Sequence, residues 1–563
     1  MRKNDRVRFL RVLTVALAAG LVASACSGTT SHKQTGNVKQ GGTLRIGSIE
    51  GIDSLNPFVG FNQDSYSTWF YIYPSLVQYD LSTYKFLPNF ATSWQRSADG
   101  RTWTFHLVPG ARWNDGRPLT SQDVAWTFNT IIQFQAGPTG DWAGSVAHLQ
   151  SVRASGPNAI VATYKQPVAN VLPNLGFIPI LPRHVWAQYA TGNGRALRTY
   201  PNQPIGGQPL VGAGPFTLVK FKQHDVAIFQ RNETFYGTKP NLDVFGLQFF
   251  QNPDAMVTAL KSGQLDAIEH LPPTSVSTIR AAGLHVELGP SLEFRDFIIN
   301  SNPRKPEHRE LLNPQVRKAF EYAIDRAEIV KTAWLGYASP GSTIVPPSSI
   351  TNGVHWHDAS VKPLLFDPAK ANQILDSLGF AKGSNGIRVA DGHPMSYTVI
   401  FAHAESGPGD RAFSIIQNDF HKIGVNLEQR PMDDTAAFNA VGAPGFKYLS
   451  FDLAMWDWIP GPDPDFILSI LGCNQYGSWS DSGYCDHSYD RMYQRQGTIL
   501  DPAQRKAVVD QMQRKIFNDR PYIVLTYDDE IDAWSRHFAG FVESPQSIFN
   551  SLSLQSLVSV HVV

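Results

Sequence analysis

Four segments of this chain open with an Asn or Asp directly before a Pro and continue with helical spacing: Asn252-Pro253, Asn313-Pro314, Asp367-Pro368 and Asp501-Pro502. Each pair reads as a helix start. The side-chain oxygen can accept from the orphan N–H groups of the first turn, and Pro has no N–H to lose there. The residues that follow keep helical spacing, Met256 with Leu260, and Val316 with Phe320, Ala323 and Ile324. Three of these helices are expected to end near Gly263, Gly336 and Gly379, which can take a left-handed C-cap. Shorter alternating runs lie between. Thr102 to Val108 places Trp103, Phe105 and Leu107 on one face, between the turns Asp99-Gly100 and Pro109-Gly110. Thr120 and Asp123 then form a capping box for a helix to about Ile132, with Val124, Phe128 and Ile131 on one side. Helices with a single apolar stripe need sheets to cover them, so the fold class is α/β with mixed sheets. At 563 residues, two or more lobes are expected.

Lys plus Arg equals Asp plus Glu at 48 each, and no block of like charges interrupts the body of the chain. That balance gives no reason to expect a nucleic-acid partner, which would need a basic patch. The start of the chain is different. Arg2, Lys3, Arg6, Arg8 and Arg11 precede an apolar stretch, Val12 to Val22, that is too short to span a bilayer but suits a signal-peptide core. Ala23, Ser24, Ala25 and Cys26 then resemble a bacterial lipobox, with Ala23 where Leu is usual. That resemblance implies a signal peptide of residues 1–25, a lipid on Cys26 and a polar tether over 26–40 that holds the body at a membrane. The two remaining cysteines, Cys473 and Cys485, lie close together in what is then an oxidising compartment. A disulfide closing a short loop is expected, worth on the order of 3 kcal/mol. The alternatives are two free thiols or a zinc site, for which only His487 stands nearby.

From Gly41 onward, several segments occur in a characteristic order. They are Gly41 to Gly47 (GGTLRIG), Ser54-Leu55-Asn56-Pro57, Leu87 to Trp94 (LPNFATSW), and Trp103 to Leu107 followed by Trp113 to Thr120. Further on come Gly212-Ala213-Gly214-Pro215-Phe216, Arg231-Asn232 to Tyr236, Ser262 to Asp266 (SGQLD), and Val316 to Arg326 (VRKAFEYAIDR). This series resembles the family 5 extracellular solute-binding proteins, the dipeptide/oligopeptide-binding group, to about Phe538. The resemblance implies a type II periplasmic-binding-protein-like clamp with an additional domain in the first lobe. Lobe I would hold 41–78, 208–292 and 521–563, the inserted domain 79–207, and lobe II 293–520. It also implies a monomer that encloses a small-molecule or peptide ligand by hinge closure and hands it to an ABC importer permease, with no catalysis and no cofactor. An oligosaccharide, nickel chelate or haem stands as an alternative cargo on the same fold, and a sensor or interaction lipoprotein as an alternative role.

Phe451 to Phe466 (FDLAMWDWIPGPDPDF) is the stretch richest in candidate ligand contacts. In related peptide binders this region carries an Asp that pairs with the ligand's α-amino group, and Asp457 and Asp463 are the candidates here. A carboxylate facing an ammonium in a closed cleft makes a strong, directional contact. Trp456 and Trp458 are expected to project to opposite sides, one or both toward the cleft, and Trp479 to be presented by the stapled loop. Asn56, in the loop after the first strand, and Asn300, near the crossing between lobes, complete the set. His355-Trp356-His357 could face two imidazoles one way, but no third ligand is near in sequence, and a surface loop is the expectation. No metal site is expected.

Overall fold

The structure, a computed structural model, describes residues 39–81, 83–402, 407–542 and 553–563. The expected signal peptide, Cys26 and the tether up to residue 38 lie outside the described residues.

The helix starts are built as their chemistry requires. Asn252 accepts from Asp254 N and Ala255 N at 2.8 and 3.2 Å, and opens Pro253–Lys261. Asn313, Asp367 and Asp501 likewise cap Pro314–Tyr322, Pro368–Ser377 and Pro502–Asp519. Gly263 and Gly379 follow their helices with φ of +73° and +81°. Gly336 does not play that part. The helix from Pro314 stops at Tyr322, because Asp325 starts a new turn by accepting from Glu328 N at 3.0 Å. The Thr120 capping box is present, and its helix runs Ser121–Phe134. The alternating run forms the strand Thr102–Leu107, with Trp103, Phe105 and Leu107 buried.

One large mixed sheet organises the chain. At one end Thr43–Ser48 runs parallel to both Val244–Phe249 and Ala267–Ile268, and the hairpin Phe216–Lys222 with Val226–Arg231 extends that edge. At the other end Ser396–Ala402 runs parallel to Asn426–Met432 and Leu453–Trp458. Two long antiparallel strands, His285–Ile299 and Tyr522–Trp534, join these ends. Their outer halves, 285–290 and 529–534, belong to the first end, where Ala267 and Ile268 pair with Trp534 and Ala533. Their inner halves belong to the second, where Phe294 to Ile299 pair with Trp458 to Leu453. The register breaks between Pro290 and Phe294, where one half gives way to the other. A break of this kind bends and twists the ribbon.

A separate four-stranded sheet, in the order Ala91–Arg96, Thr102–Leu107, Ala159–Tyr164, Leu149–Ala154, sits within the segment 79–207. Its core is continuous with that of the first end of the large sheet, through Phe58, Trp69, Trp142 and Trp186. The turn Gly212–Phe216 shows why glycine stands there. A Cβ on Gly214 would lie 2.3 Å from Tyr71 O, and one on Gly212 2.3 Å from Ile72 O, so the chain passes against the end of the helix Gln63–Ile72 with no room for a side chain.

Candidate functional site

Charged side chains from both ends of the large sheet meet where the two long strands change partners. Arg295 stands just past the register break. Its Nε donates to Asp528 Oδ2 at 2.7 Å, its Nη2 to Glu293 Oε1, and its Nη1 lies 4.0 Å from Asp457 Oδ1 on the neighbouring strand. The guanidinium also sits over the Trp334 ring at 5.7 Å. From the first end come Glu50, just after the strand Thr43–Ser48, and His270, just after Ala267–Ile268. Both lie beyond the C-terminal ends of parallel strands, where open α/β sheets form their sites. His270 Nε2 is 3.6 Å from Glu50 Oε1, and its Nδ1 is 3.3 Å from Glu530 Oε1 on the second long strand.

Negative charge dominates this cluster, and its proton affinities follow. Burial pushes the Glu50 carboxyl up to about 8; His270 opposes the shift, while Asp64, Asp457 and Glu293 add to it. Glu293 is pushed up to about 7, first by burial and then by Asp528 and Asp457, against the pull of Arg295. Burial also holds Glu269 and Glu530 well above the ordinary carboxylate range. For His270, burial works against the charged ring, but Glu530, Glu50, Glu269 and Glu293 outweigh it and keep the imidazolium favoured well above its usual range. Yet Glu50 keeps 28% of its side-chain surface accessible and Asp457 27%. Glu50 is thus strongly desolvated while part of its side chain stays accessible. An enclosed set of carboxylates, several of them holding protons, is suited to receiving a cation, which would ionise them as it enters.

An aromatic group stands beside the cluster. Trp458, Phe466 and Trp479 lie edge to face at 5.4 to 6.4 Å. Trp456 and Trp458 do not project to opposite sides, since residues two apart in a strand share a face. Both indole N–H groups donate to the buried Asp481, at 3.1 and 2.9 Å, and Tyr522 OH donates to the same carboxylate. Asp457, between the two indoles, therefore faces the other way, toward Arg295. Asp481 and Trp479 both belong to the loop closed by the Cys473–Cys485 disulfide. Trp479 Nε1 donates to Asp141 O at 3.3 Å, Ala169 N to Gly497 O at 2.8 Å, and Asn352 N to Tyr84 O at 3.2 Å. The segment 79–207 thus touches the half of the chain beyond the long strands.

A family model for bacterial extracellular solute-binding proteins, family 5 (middle region), matches residues 85–478. The chain is a family 5 bacterial extracellular solute-binding protein. Protein XP55 of Streptomyces lividans is 26% identical over 557 residues, covering 98% of this chain and 96% of that protein. Among solved structures, the oligopeptide-binding protein AppA of Bacillus subtilis, in complex with a nonapeptide, superposes with a TM-score of 0.82 at 20% identity. It covers 93% of this chain and 100% of AppA. The ABC transporter-associated periplasmic binding protein DppA of Helicobacter pylori, in complex with the peptide STSA, gives 0.78 at 22%, covering 93% and 98%. These likenesses establish the type II clamp fold.

Against this family frame, the residues singled out in the sequence separate into two groups. Asp457, Trp458 and Trp479 come together around the central cluster, and Trp456 packs behind them with 9% of its surface exposed. Asn56, Asn300 and Asp463 are corrected. Asn56 donates both amide protons to Leu197 O and Tyr200 O, at 2.7 and 2.8 Å, and accepts from Phe58 N. Asn300 does the same with Tyr448 O and Phe451 O, and accepts from Asn302 N. Each pins a loop, and neither keeps a free donor for a ligand. Asp463 is locked in a bidentate pair with Arg505 at 2.6 and 2.7 Å, with both side chains about 5% exposed. Glu293, Arg295 and His270 went unnoticed in the sequence, whereas Glu50 to Asp53 lie with Asn56 in the loop after the first strand, a place the sequence already marks for ligand contact. Among the described residues His355 and His357 belong to no cluster of three metal-ligating side chains, and His357 Nδ1 is engaged with Val345 O at 2.7 Å.

Two outcomes follow. Asp463→Asn strands a buried guanidinium and is expected to cost about 3–5 kcal/mol of stability in denaturant unfolding, with ligand affinity of the folded fraction unchanged. Carboxyls whose native pKa lies above the ordinary 4.5 bind more protons folded than unfolded. Their stabilisation is therefore present at low pH and lost as pH rises through the native values. The ligand-free protein is expected to lose thermal stability steadily from about pH 5 to pH 8, and Glu50→Gln to flatten that slope. A midpoint that rises with pH across this window would contradict the electrostatic description.

Proposed function

We infer that this chain is the extracytoplasmic capture subunit of an ABC importer. It closes two lobes on a short peptide, whose cationic amino group is received by Asp457, Glu50 and Glu293. The observation that carries the reading is the convergence of those carboxylates from both halves of the chain at the register break, with Glu50 and Asp457 still partly accessible. In this reading lobe I comprises 41–78 and 208–292 with the C-terminal segment, 79–207 is its inserted domain, and lobe II begins at Glu293. The chain returns to lobe I from about Pro521, along the strand Tyr522–Trp534, whose residues Tyr527–Asp529 lie opposite the register break. Trp458, Phe466 and Trp479 supply an apolar wall for the peptide side chain next to the amine. Support for a peptide comes from the ligands that the AppA and DppA structures hold. The protein binds and releases without turnover. Cys26 carries the lipid that keeps it at the membrane, and Cys26→Ser is expected to shift the protein from the membrane fraction to the soluble fraction of the producing cells.

Calorimetry with short peptides at pH 7 tests the ligand site. At that pH an empty site retains protons on Glu50 and, in part, on Glu293, and an entering ammonium would displace them. Binding is expected to release protons, read from the dependence of the heat on buffer ionisation enthalpy. Acetylating the peptide amino terminus, or Asp457→Asn, is expected to weaken binding by about 10- to 100-fold through loss of a charge-assisted hydrogen bond. Equal affinity for free and acetylated peptides would remove the amine from this site. Binding of an anionic or sugar ligand in place of peptides would keep the clamp and discard the peptide.

A further inference from the structure

Away from the central space, on the second half of the chain, three metal-binding side chains converge from separate stretches of sequence. His308 and Glu310 lie on the segment that leaves the first long strand, and His393 lies on the short hairpin that precedes Ser396–Ala402. His308 Nδ1 is 3.3 Å from Glu310 Oε1, and His393 Nε2 is 3.7 Å from Glu310 Oε2. The imidazole rings meet edge to face at 4.7 Å. We propose that His308, Glu310 and His393 form a binding site for a divalent transition-metal ion of the zinc type, distinct from the ligand space between the lobes.

The spacing fits the chemistry. Two ligand atoms bound tetrahedrally to one ion at about 2.0–2.1 Å lie about 3.3 Å apart, close to both observed separations. Imidazole with carboxylate is a donor set that suits zinc or nickel rather than calcium or magnesium. Glu310 is the decisive member. Its side chain is fully buried, and its Oε2 accepts no hydrogen bond, whereas buried carboxylate oxygens are ordinarily satisfied. Nδ1 of His393 is likewise buried without a hydrogen-bond partner. An ion between the rings and the carboxylate would satisfy Glu310 Oε2 directly.

The surroundings hold the set in place. Tyr397 OH donates to Glu310 Oε1 at 2.7 Å from the adjoining strand, as groups behind a metal ligand commonly do. The nearby Lys305 ammonium does not oppose a cation strongly, since it is committed to Asp452 Oδ1 at 2.8 Å and Phe451 O at 2.6 Å. Three protein ligands leave the fourth position to water, and the ion would tie the segment after the long strand to the hairpin at Val389–Pro394.

The full-length protein, stripped with chelator and titrated with zinc sulfate, provides the test. One zinc per chain is expected, with X-ray absorption showing two imidazoles and oxygen ligation, and with an upward shift of the unfolding midpoint. His393→Asn, at a half-exposed position, is expected to weaken zinc binding by at least about tenfold, and Tyr397→Phe by about tenfold through the group behind Glu310. His487→Ala, at the other histidine near candidate ligands, is expected to change nothing, because both neighbouring cysteines are in the disulfide. Absence of stoichiometric zinc binding, or full affinity retained in both His393→Asn and Tyr397→Phe, would overturn the proposal. Loss of binding in His487→Ala alone would move the ion elsewhere. Should a variant fail to fold, the absorption spectrum of the unaltered protein still decides the ligand set.

Discussion

The antiparallel pairing of His285–Ile299 with Tyr522–Trp534 is the interaction on which the rest of this molecule depends. These two strands lie in the middle of the large sheet, and each serves one end of it with its first half and the other end with its second. At the register break the ladder gives up regular hydrogen bonds, and side chains replace them. Ser291 Oγ donates to Asp528 O at 2.9 Å and accepts from Glu293 N at 2.9 Å, and Ser348 Oγ donates to Ser291 O. A register break of this kind bends and twists the two-stranded ribbon at the point where the two ends of the sheet meet.

The same joint explains the concentration of charge. Asp528, Glu530 and Asp532 alternate along one strand and so share a face. Like charges at that spacing in a dry environment are costly, and the structure meets the cost with Arg295, with His270 and with retained protons. The cluster is electrostatically unfinished on the side where Glu50 and Asp457 remain accessible. In the proposed reading a cationic ligand would complete it, and would tie the first end of the sheet, through Glu50, to the second, through Asp457 and Glu293, so that capture and closure would be one electrostatic event.

Much of the architecture was legible because local signals are strong where one residue type does one job. Asn or Asp before Pro announced four helices, and Thr120 with Asp123 a fifth. Trp103, Phe105 and Leu107 announced a strand by their period. Legibility failed where a side chain's role is set by distant chain. Asn56 and Asn300 sit where ligand contacts are plausible from sequence order, but their amides serve carbonyls some 140 to 150 residues away. Asp463 looked available until Arg505, 42 residues on, was folded against it. Glu50, Glu293 and Arg295 meet only through the topology of the large sheet, and His308 meets His393 only through a hairpin 85 residues later. Sequence spacing carries no trace of such encounters.

The two sites stand in different relation to the fold. The central cluster joins the two ends of the sheet, whereas the His308, Glu310 and His393 set lies within the second end alone. The central claim concerns the first of these, and a crystal structure of the protein with a captured peptide tests it most directly. The account predicts ligand density in the space beside the register break, with an ammonium within hydrogen-bonding distance of Asp457, Glu50 or Glu293 and an apolar group against Trp458 and Trp479. Ligand bound outside that space, or an anionic group lying against those carboxylates, would contradict it.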